Sequence, residues 1–353
     1  MARLSKPIDE ILEHYDVVVV GSGYGGAITA SRLARAGRKV CLLERGKELQ
    51  PGEYPDTLLR AGDEVQIDGP QGHLGSRSGL YEFHVSPDMA VFKGCGLGGT
   101  SLVNANVSLR AEPRVFDDPR WPEAVRADLE TRVDEGYRRA EEMLQPRPYP
   151  DDYPRLPKME AHRRSAEAMG KRWYPTPINV TFEDGINAAG VEQKACCLCG
   201  DCVTGCNHWA KNTTLMNYLP DAVNHGTEIF TEIDVRYLER TGHGWHVHYQ
   251  PLATGRETFG APTLFVSADV VVLGAGALGS TEILLRSREA GLALSERLGE
   301  HFTGNGDILG FGYNNDDRID GVGFGHHDPA EMPPVGPCIT SVIDQRECEE
   351  LDD

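Results

Sequence analysis

Residues 16–26 read Asp-Val-Val-Val-Val-Gly-Ser-Gly-Tyr-Gly-Gly, and they give the clearest indication of the fold class. The run of valines is typical of a strand that is buried on both faces of a parallel sheet. Gly21, Gly23 and Gly26 follow it with the G-x-G-x-x-G spacing, and the small residues after them predict a helix. Gly21 permits a tight turn, Gly23 lets the backbone approach a pyrophosphate, and Gly26 lets the helix pack on the strand.

The next predicted strand, residues 39–43, ends at Glu44 and completes a βαβ unit. In such a unit the helix N-terminus faces phosphates, and the acid accepts hydrogen bonds from ribose hydroxyls. A carboxylate at this position would repel a 2′-phosphate, which disfavours NADP. An ordinary glycine-rich turn is the alternative, but the strand, helix and acid in register favour a dinucleotide site. These residues alone leave FAD and NAD open.

The composition limits the classes of partner. Of 353 residues, 35 are Lys or Arg and 54 are Asp or Glu, which gives a formal net charge of −19. Nucleic acids and anionic membrane surfaces are bound chiefly by basic side chains, so we predict neither as a partner. No apolar run reaches the roughly 18 residues of a membrane-spanning helix, and we expect a soluble, cytoplasmic protein without an integral membrane segment.

Regular structure is predicted in further parts of the chain. Alternating residues indicate antiparallel strands at 229–238 and 245–249. A buried strand at 269–273 precedes a helix at 280–288. Residues 50–90 are rich in Gly, Pro and Asp, and we predict loops with little regular structure there.

Three separated motifs resemble those of one enzyme family. They are residues 21–26 (GSGYGG), 94–106 (GCGLGGTSLVNAN) and 274–285 (GAGALGSTEILL). In this order they resemble the glucose–methanol–choline (GMC) oxidoreductases, most of all the bacterial cholesterol oxidase-like branch. The resemblance covers almost the whole chain, most weakly at 45–90 and 310–353. It implies an α/β fold with a Rossmann-type FAD-binding domain built from discontinuous segments.

The resemblance also implies the chemistry. FAD would be held noncovalently, and an alcohol, first of all a sterol or another bulky hydrophobic alcohol, would be oxidised by hydride transfer to the flavin. Oxygen and an electron-acceptor protein are alternative acceptors. Two other readings stay open, namely a noncatalytic FAD-binding fragment of a longer protein and an iron–sulfur flavoprotein dehydrogenase that passes electrons to a protein.

The implied domain organisation has four segments. Residues 1–110 and 226–305 would form the FAD-binding domain, 111–225 an inserted helical and cysteine-rich region, and 306–353 the incomplete start of a substrate domain. In the family the proton-handling residues come from later in that domain. We therefore assign no catalytic residue and expect this chain alone not to turn over an alcohol.

Some titratable residues near the end of the chain match no motif of the family. We interpret these residues as exposed surface groups: His326, His327, Glu347, Glu349 and Glu350.

Carried over position by position, the resemblance gives a set of cofactor-binding residues. With Gly21, Gly23 and Gly26 in the turn, Glu44 would contact the adenosine diphosphate end, and Val235 would hold the adenine through its backbone. Tyr24 and Gly25 would also contact the adenosine diphosphate end. The remaining implied contacts, along the phosphates and the flavin or close to the cofactor, are Gly99, Thr100, Asn104, Ala105, Val107 and Gly274.

Five cysteines are packed between residues 196 and 206. Cys196, Cys199, Cys202 and Cys206 have the spacing of bacterial ferredoxin runs, which bind iron–sulfur clusters, and Cys197 is additional. Asn207 stands where such runs usually have proline. An iron–sulfur cluster, disulfides or free thiols, and zinc are therefore all retained as interpretations of these four residues.

Overall fold

The computed structural model describes residues 2–252, 254–256, 260–304, 306–317, 319–323 and 333–346. The histidines and glutamates that we interpret as surface groups near the end of the chain lie outside these residues. The chain forms two compact units, each made of two segments. The first unit comprises Met1–Asn104 and Thr213–Tyr313, and the second comprises Ala105–Asn212 and Asn314–Asp353.

Strands and helices are numbered in chain order. The strands are His14–Val20 (β1), Val40–Leu43 (β2), Val65–Gly69 (β3), Gly72–Gly75 (β4), Tyr81–Val85 (β5), Ala90–Gly94 (β6), Arg172–Pro175 (β7), Gly185–Ile186 (β8), Glu192–Gln193 (β9), Glu228–Phe230 (β10), Ile233–Thr241 (β11), Gly244–Pro251 (β12), Leu264–Leu273 (β13) and Ser341–Asp344 (β14). The α-helices are Tyr24–Arg35 (α1), Leu58–Asp63 (α2), Glu123–Leu144 (α3), Pro157–Met169 (α4), Tyr218–Asn224 (α5) and Gly276–Glu289 (α6).

A six-stranded sheet is the centre of the first unit. Its order is β10-β2-β1-β13-β12-β11. The first four strands run parallel, with Val17 of β1 opposite both Val40 and Val270. Strand β12 pairs antiparallel with both of its neighbours, β13 and β11. The valines of β1 are buried, as their apolar run predicts. The α/β fold and the predicted βαβ unit are thereby confirmed.

Helices are fixed to this sheet and to each other by buried polar contacts. The Ser31 hydroxyl of α1 donates to the Asp221 carboxylate of α5 at 2.6 Å. On α6, the Ser287 hydroxyl accepts the backbone N–H of Leu238 from β11 at 2.8 Å. These contacts hold α1 against α5 and α6 against β11.

The prediction that residues 50–90 lack regular structure is wrong. They contain α2 and most of a four-stranded sheet with the order β4-β3-β5-β6. Its strands have only four or five residues, and charged side chains occupy positions that a core strand would fill with apolar ones. Phe83 and Phe92 stack across β5 and β6 with ring centroids 4.9 Å apart. Such short strands are held by neighbours that the local sequence does not reveal.

The second unit contains α3, α4 and two small pairs of strands, β7 with β14 and β8 with β9. Its core includes Tyr149, Leu156, Ile178 and Phe182. The rings of Tyr149 and Phe182 meet edge to face at 5.5 Å. Most of the predicted inserted region lies here, together with Asn314–Asp353.

Among the residues that the structure describes, no helix combines the length and the apolar character needed to cross a membrane.

Candidate cofactor site

A cleft of about 510 Å³ lies in the first unit at the carboxyl ends of three parallel strands. The last residues of β1, β2 and β13, namely Val20, Leu43 and Leu273, all line it. In open α/β sheets this edge is where ligands bind, because the loops that leave the strands diverge there. The volume is within the usual range for a small-molecule site.

Three glycines close the floor of the cleft by backbone-to-backbone packing. A Cβ on Gly26 would stand 1.9 Å from the carbonyl oxygen of Gly21. A Cβ on Gly274 would stand 2.8 Å from both Cα and N of Gly26, and Gly21 has φ +92°. Since no larger residue fits between these backbones, α1 and the loop after β13 can approach the end of β1 only with glycine at all three positions.

Gly23, unlike these three glycines, has open space where its Cβ would stand. It is the N-cap of α1, and no protein atom lies within 4 Å of where its Cβ would stand. Gly25 is equally open, and both residues line the cleft. A helix N-terminus with free space over its first turn is suited to a phosphate group, because backbone N–H groups and the helix dipole favour negative charge there.

The second glycine motif lies directly against the first. A Cβ on Gly99 would stand 2.8 Å from Cα of Gly23, and Gly99 has φ +55°. It begins a short 3₁₀ helix, Gly99–Leu102, in which Thr100 accepts the backbone N–H of Gly94 at 3.2 Å. Gly99 and Thr100 line the cleft. Two motifs that are far apart in sequence therefore form one wall.

Glu44 is buried at the end of β2 and lines the cleft. One carboxylate oxygen accepts the backbone N–H and the hydroxyl of Ser22, at 3.0 and 2.6 Å. The other oxygen accepts the backbone N–H of Gly46 at 2.8 Å. A carboxylate can accept about four hydrogen bonds. Three are made within the protein, which leaves acceptor capacity for a ligand hydroxyl.

Val235 lines the cleft from β11, beside an irregularity in the pairing with β12 that falls between Val235 and Tyr237. Arg286 of α6 donates to the carbonyl of Arg236 at 2.7 Å. Arg236 pairs in turn with Asp234 at 2.7 Å. The strand backbone therefore passes the cleft in a conformation that side chains hold in place.

Charged residues on the four-stranded sheet line the cleft and were missed at the sequence level. Arg45, which follows Glu44 directly, pairs with Glu82. His84 and Lys93 also contact Glu82, at 3.0 and 3.3 Å. Burial alone would raise the pKa of Glu82, but the His84 hydrogen bond and the two cations outweigh it and lower the pKa to about 2. The alternation in Tyr81–Val85 was the signal that could have indicated this strand.

Four predicted positions do not line this cleft. Gly26 packs beneath it, and the Asn104 amide donates to the hydroxyl of Tyr24, a lining residue, at 3.1 Å. Ala105 and Val107 belong to the second unit, where Val107 forms a bridge with Ile178. Their contacts to a cofactor stay predictions. The predicted residues that the structure brings together around the cleft are Gly21, Gly23, Tyr24, Gly25, Glu44, Gly99, Thr100, Val235 and Gly274.

The cysteines of the second unit surround one small cavity, which all four predicted ligands and Cys197 line. Within it, the thiols of Cys197 and Cys199 and the ring of His208 lie close together. The side chain of Cys338, far along the chain, interacts with Cys202 and lowers the pKa of Cys202. Burial raises the pKa of Cys206. The role of Cys196, Cys199, Cys202 and Cys206 as metal ligands stays a prediction.

A parallel sheet, a glycine turn at its carboxyl edge and a buried acid on the second strand define a dinucleotide-binding α/β domain. The particular family follows from comparison with known proteins. The family model described as GMC oxidoreductase matches residues 15–303, and the chain belongs to that family.

Relatives of known name are similar over most of this chain. A cholesterol oxidase of Mycobacterium tuberculosis is 32% identical over 309 residues, which cover 81% of this chain and 50% of the relative. A cholesterol oxidase of Acinetobacter baumannii is 26% identical, over 84% of this chain and 55% of the relative. A solved structure of a fungal aryl-alcohol oxidase is 16% identical, with a TM-score of 0.49 over 78% of this chain and 48% of that one. The chain spans about half the length of the curated relatives it matches.

Proposed function

We propose that this chain binds FAD noncovalently in the cleft of the first unit and supplies the cofactor-binding part of an alcohol oxidoreductase. The observation that carries the proposal is the open face of Gly23. It lies between Glu44 and Gly99 in a cleft large enough for a nucleotide, and no protein atom occupies the place of its missing side chain. Membership of the GMC oxidoreductase family supports FAD as the nucleotide.

Different residues of the cleft would bind different parts of the nucleotide. The N-terminus of α1 at Gly23 and Tyr24 would hold the phosphates through backbone N–H groups. Glu44 would accept a ribose hydroxyl with its remaining capacity, while Ser22 keeps the carboxylate in place. The backbone of Val235 would hold the adenine. When bound, FAD would supply the hydride acceptor that alcohol oxidation requires, and no amino-acid side chain has that property.

For the substrate, we propose a sterol or another bulky hydrophobic alcohol. Support comes from relatives named as cholesterol oxidases and from a long-chain-alcohol oxidase of Arabidopsis thaliana that is 29% identical over 232 residues. An iron–sulfur cluster and a protein electron acceptor stay predictions from the cysteine spacing alone. No base for the hydroxyl proton is assigned among the described residues.

The decisive experiment is to identify the bound nucleotide. The purified chain is denatured with acid, and the supernatant is analysed by chromatography and mass spectrometry. We expect about one FAD per chain, all of it released. Flavin that stays with the precipitate would contradict noncovalent binding, and NAD in place of FAD would contradict the assignment of the cofactor. Anaerobic bleaching of the bound flavin by a panel of sterols, long-chain alcohols and short alcohols then tests the substrate class.

A further inference from the structure

Two thiols and one imidazole converge in the second unit, outside the cofactor cleft. The Sγ atoms of Cys197 and Cys199 and a ring nitrogen of His208 all lie within 4.8 Å of one another. Cys199 is buried, and the other two residues are half-buried. The three ligand atoms are therefore close together and largely shielded from solvent, although His208 lies well after the two cysteines in the sequence.

The backbone around Cys199 is held in unusual conformations on both sides. Leu198 has φ +64° and Gly200 has φ +86°. A left-handed conformation at leucine costs free energy and persists only where surrounding contacts enforce it. The carbonyl of Leu198 accepts the backbone N–H groups of Val335 and Gly336, at 3.0 and 2.9 Å. The turn that brings Cys199 back towards Cys197 is thus fixed by hydrogen bonds from a distant segment.

A small cavity of about 10 Å³ is enclosed by this turn. A volume of this order holds roughly one water molecule or ion. The lining of the cavity includes the three converging ligands, the other cysteines of the segment (Cys196, Cys202 and Cys206), Asp201 and Lys211.

We propose that Cys197, Cys199 and His208 bind a single Zn²⁺ ion. Two thiolates and one imidazole are a ligand set that zinc favours. At zinc–ligand distances of about 2.0–2.3 Å, tetrahedral neighbours stand roughly 3.5–3.8 Å apart. The three ligand atoms lie within 4.8 Å of one another, so that movements of about 1 Å would bring them to these separations. A water molecule completes the tetrahedron, as it does at other three-ligand zinc sites.

The binding of Zn²⁺ would release protons from the two thiols. When the ion enters, the thiols of Cys197 and Cys199 each lose a proton to solvent, and neutral His208 donates a lone pair, so that no oxidation or reduction takes place. The bound ion would link the turn at Leu198 to the segment that carries His208. Because a metal that binds the folded state stabilises it, removal of the ion should lower the thermal stability of the chain.

The test compares metal content among variants of the full chain. Zinc, iron and acid-labile sulfide are measured in the unaltered chain and in Cys197→Ser, Cys199→Ser and His208→Gln. Cys41→Ser, at a buried thiol of β2 in the first unit, serves as the matched control. Cys206→Ser, at a thiol that lines the cavity but lies outside the proposed ligand group, is measured to distinguish zinc from a cluster. We expect about one zinc per chain, lost at least tenfold in the three ligand variants and retained in the control.

Other results would overturn the proposal. Zinc retained by Cys197→Ser and His208→Gln would show that these residues are not ligands. Iron with sulfide, lost equally from Cys206→Ser, would show a cluster instead, and a chain that takes up no zinc in a titration would show no site. If the ligand variants do not fold, X-ray absorption of the unaltered zinc-loaded chain decides. Two sulfur neighbours at about 2.3 Å with nitrogen or oxygen at about 2.0 Å support the proposal, and four sulfur neighbours contradict it.

Discussion

Ser22 donates both its backbone N–H and its hydroxyl to one carboxylate oxygen of Glu44, at 3.0 and 2.6 Å. The first residue after the tight turn is thereby tied to the end of the neighbouring strand. The hydroxyl oxygen of Ser22 also accepts the backbone N–H of Gly98 at 2.9 Å. One serine between two glycines connects the first glycine motif, the acid of the second strand and the second glycine motif.

Glu44→Gln should weaken both stability and nucleotide binding. Glutamine keeps one accepting oxygen but replaces the other with an NH₂ group, so it cannot accept the hydrogen bonds of both Ser22 and Gly46. Because hydrogen bonds to a charged acceptor contribute about 1.5–3 kcal/mol, we expect the dissociation constant for FAD to rise roughly 10- to 100-fold. Flavin fluorescence titration measures this. Glu289→Gln, at the exposed end of α6, is the control and should bind FAD normally.

Gly23→Leu should abolish FAD binding while leaving the fold intact. Gly23 has φ −63° and open space around its missing Cβ, so leucine meets no protein atom there at its Cβ and projects into the cleft. We expect the flavin content to fall below about a tenth of normal, with the free energy of unfolding of the flavin-free protein within about 0.5 kcal/mol of the unaltered chain. Gly62→Ala, an equally open glycine in α2 away from the cleft, is the matched control. A Gly23→Leu protein with normal FAD content would refute the assignment of the cleft.

Gly274→Ala should destabilise the first unit. A Cβ at this position would stand 2.8 Å from backbone atoms of Gly26, and a backbone cannot rotate away as a side chain can. Overpacking of this kind typically costs about 1–3 kcal/mol. Urea unfolding of flavin-free protein measures the loss, and Gly62→Ala again provides the comparison. Equal stability of Gly274→Ala and the unaltered chain would show that the loop after β13 does not pack as described.

The stabilisation that Glu82 provides should be lost in acid. Its pKa is about 2 in the folded protein, below its usual 4.5, so its carboxylate stabilises the fold above about pH 4.5 and ceases to do so as the pH falls towards 2. The difference corresponds to roughly 3 kcal/mol at neutral pH. Glu82→Gln should therefore be less stable than the unaltered chain at pH 7, and the gap should narrow steadily below pH 5. Urea unfolding at a series of pH values measures it, with Glu289→Gln as a control. A gap that stays constant with pH would contradict this prediction.

The βαβ unit could be predicted because its signals are local. Apolar runs, a glycine spacing and an acid at a strand end each occupy a few consecutive residues, and each has one common structural meaning. Gly21, Gly23 and Gly26 lie at the turn after β1 and Glu44 lies at the end of β2, where the pattern predicts them, and their contacts to a cofactor stay predictions. The resemblance of residues 94–106 then supplied the second wall, which local signals alone would not have joined to the first.

The rest depends on contacts between distant residues. The strand that carries Glu82 is short and charged, and its partner Arg45 lies 37 residues earlier. Nothing in the spacing of either residue indicates that pair. The neighbours of the cysteines also include distant residues, because Cys202 interacts with Cys338 and the Cys197–Cys199 pair lies beside His208. The ferredoxin-like spacing indicates neither neighbour, and the metal-binding role of the four spaced cysteines stays a prediction.

The position of β1 has a consequence for how the chain is made. Its two neighbours in the sheet are β2, which is close in sequence, and β13, whose Ser267 pairs with His14. During translation at about 5–20 residues per second, some 10–50 s pass between the synthesis of these two residues. Throughout that interval one edge of β1, which ends in four consecutive valines, lacks the strand that pairs with it in the folded protein. Chaperones bind polypeptides with exposed apolar strands of this kind. We therefore expect the yield of folded protein in a heterologous host to depend strongly on chaperones, even if the free energy of unfolding of the finished chain is high.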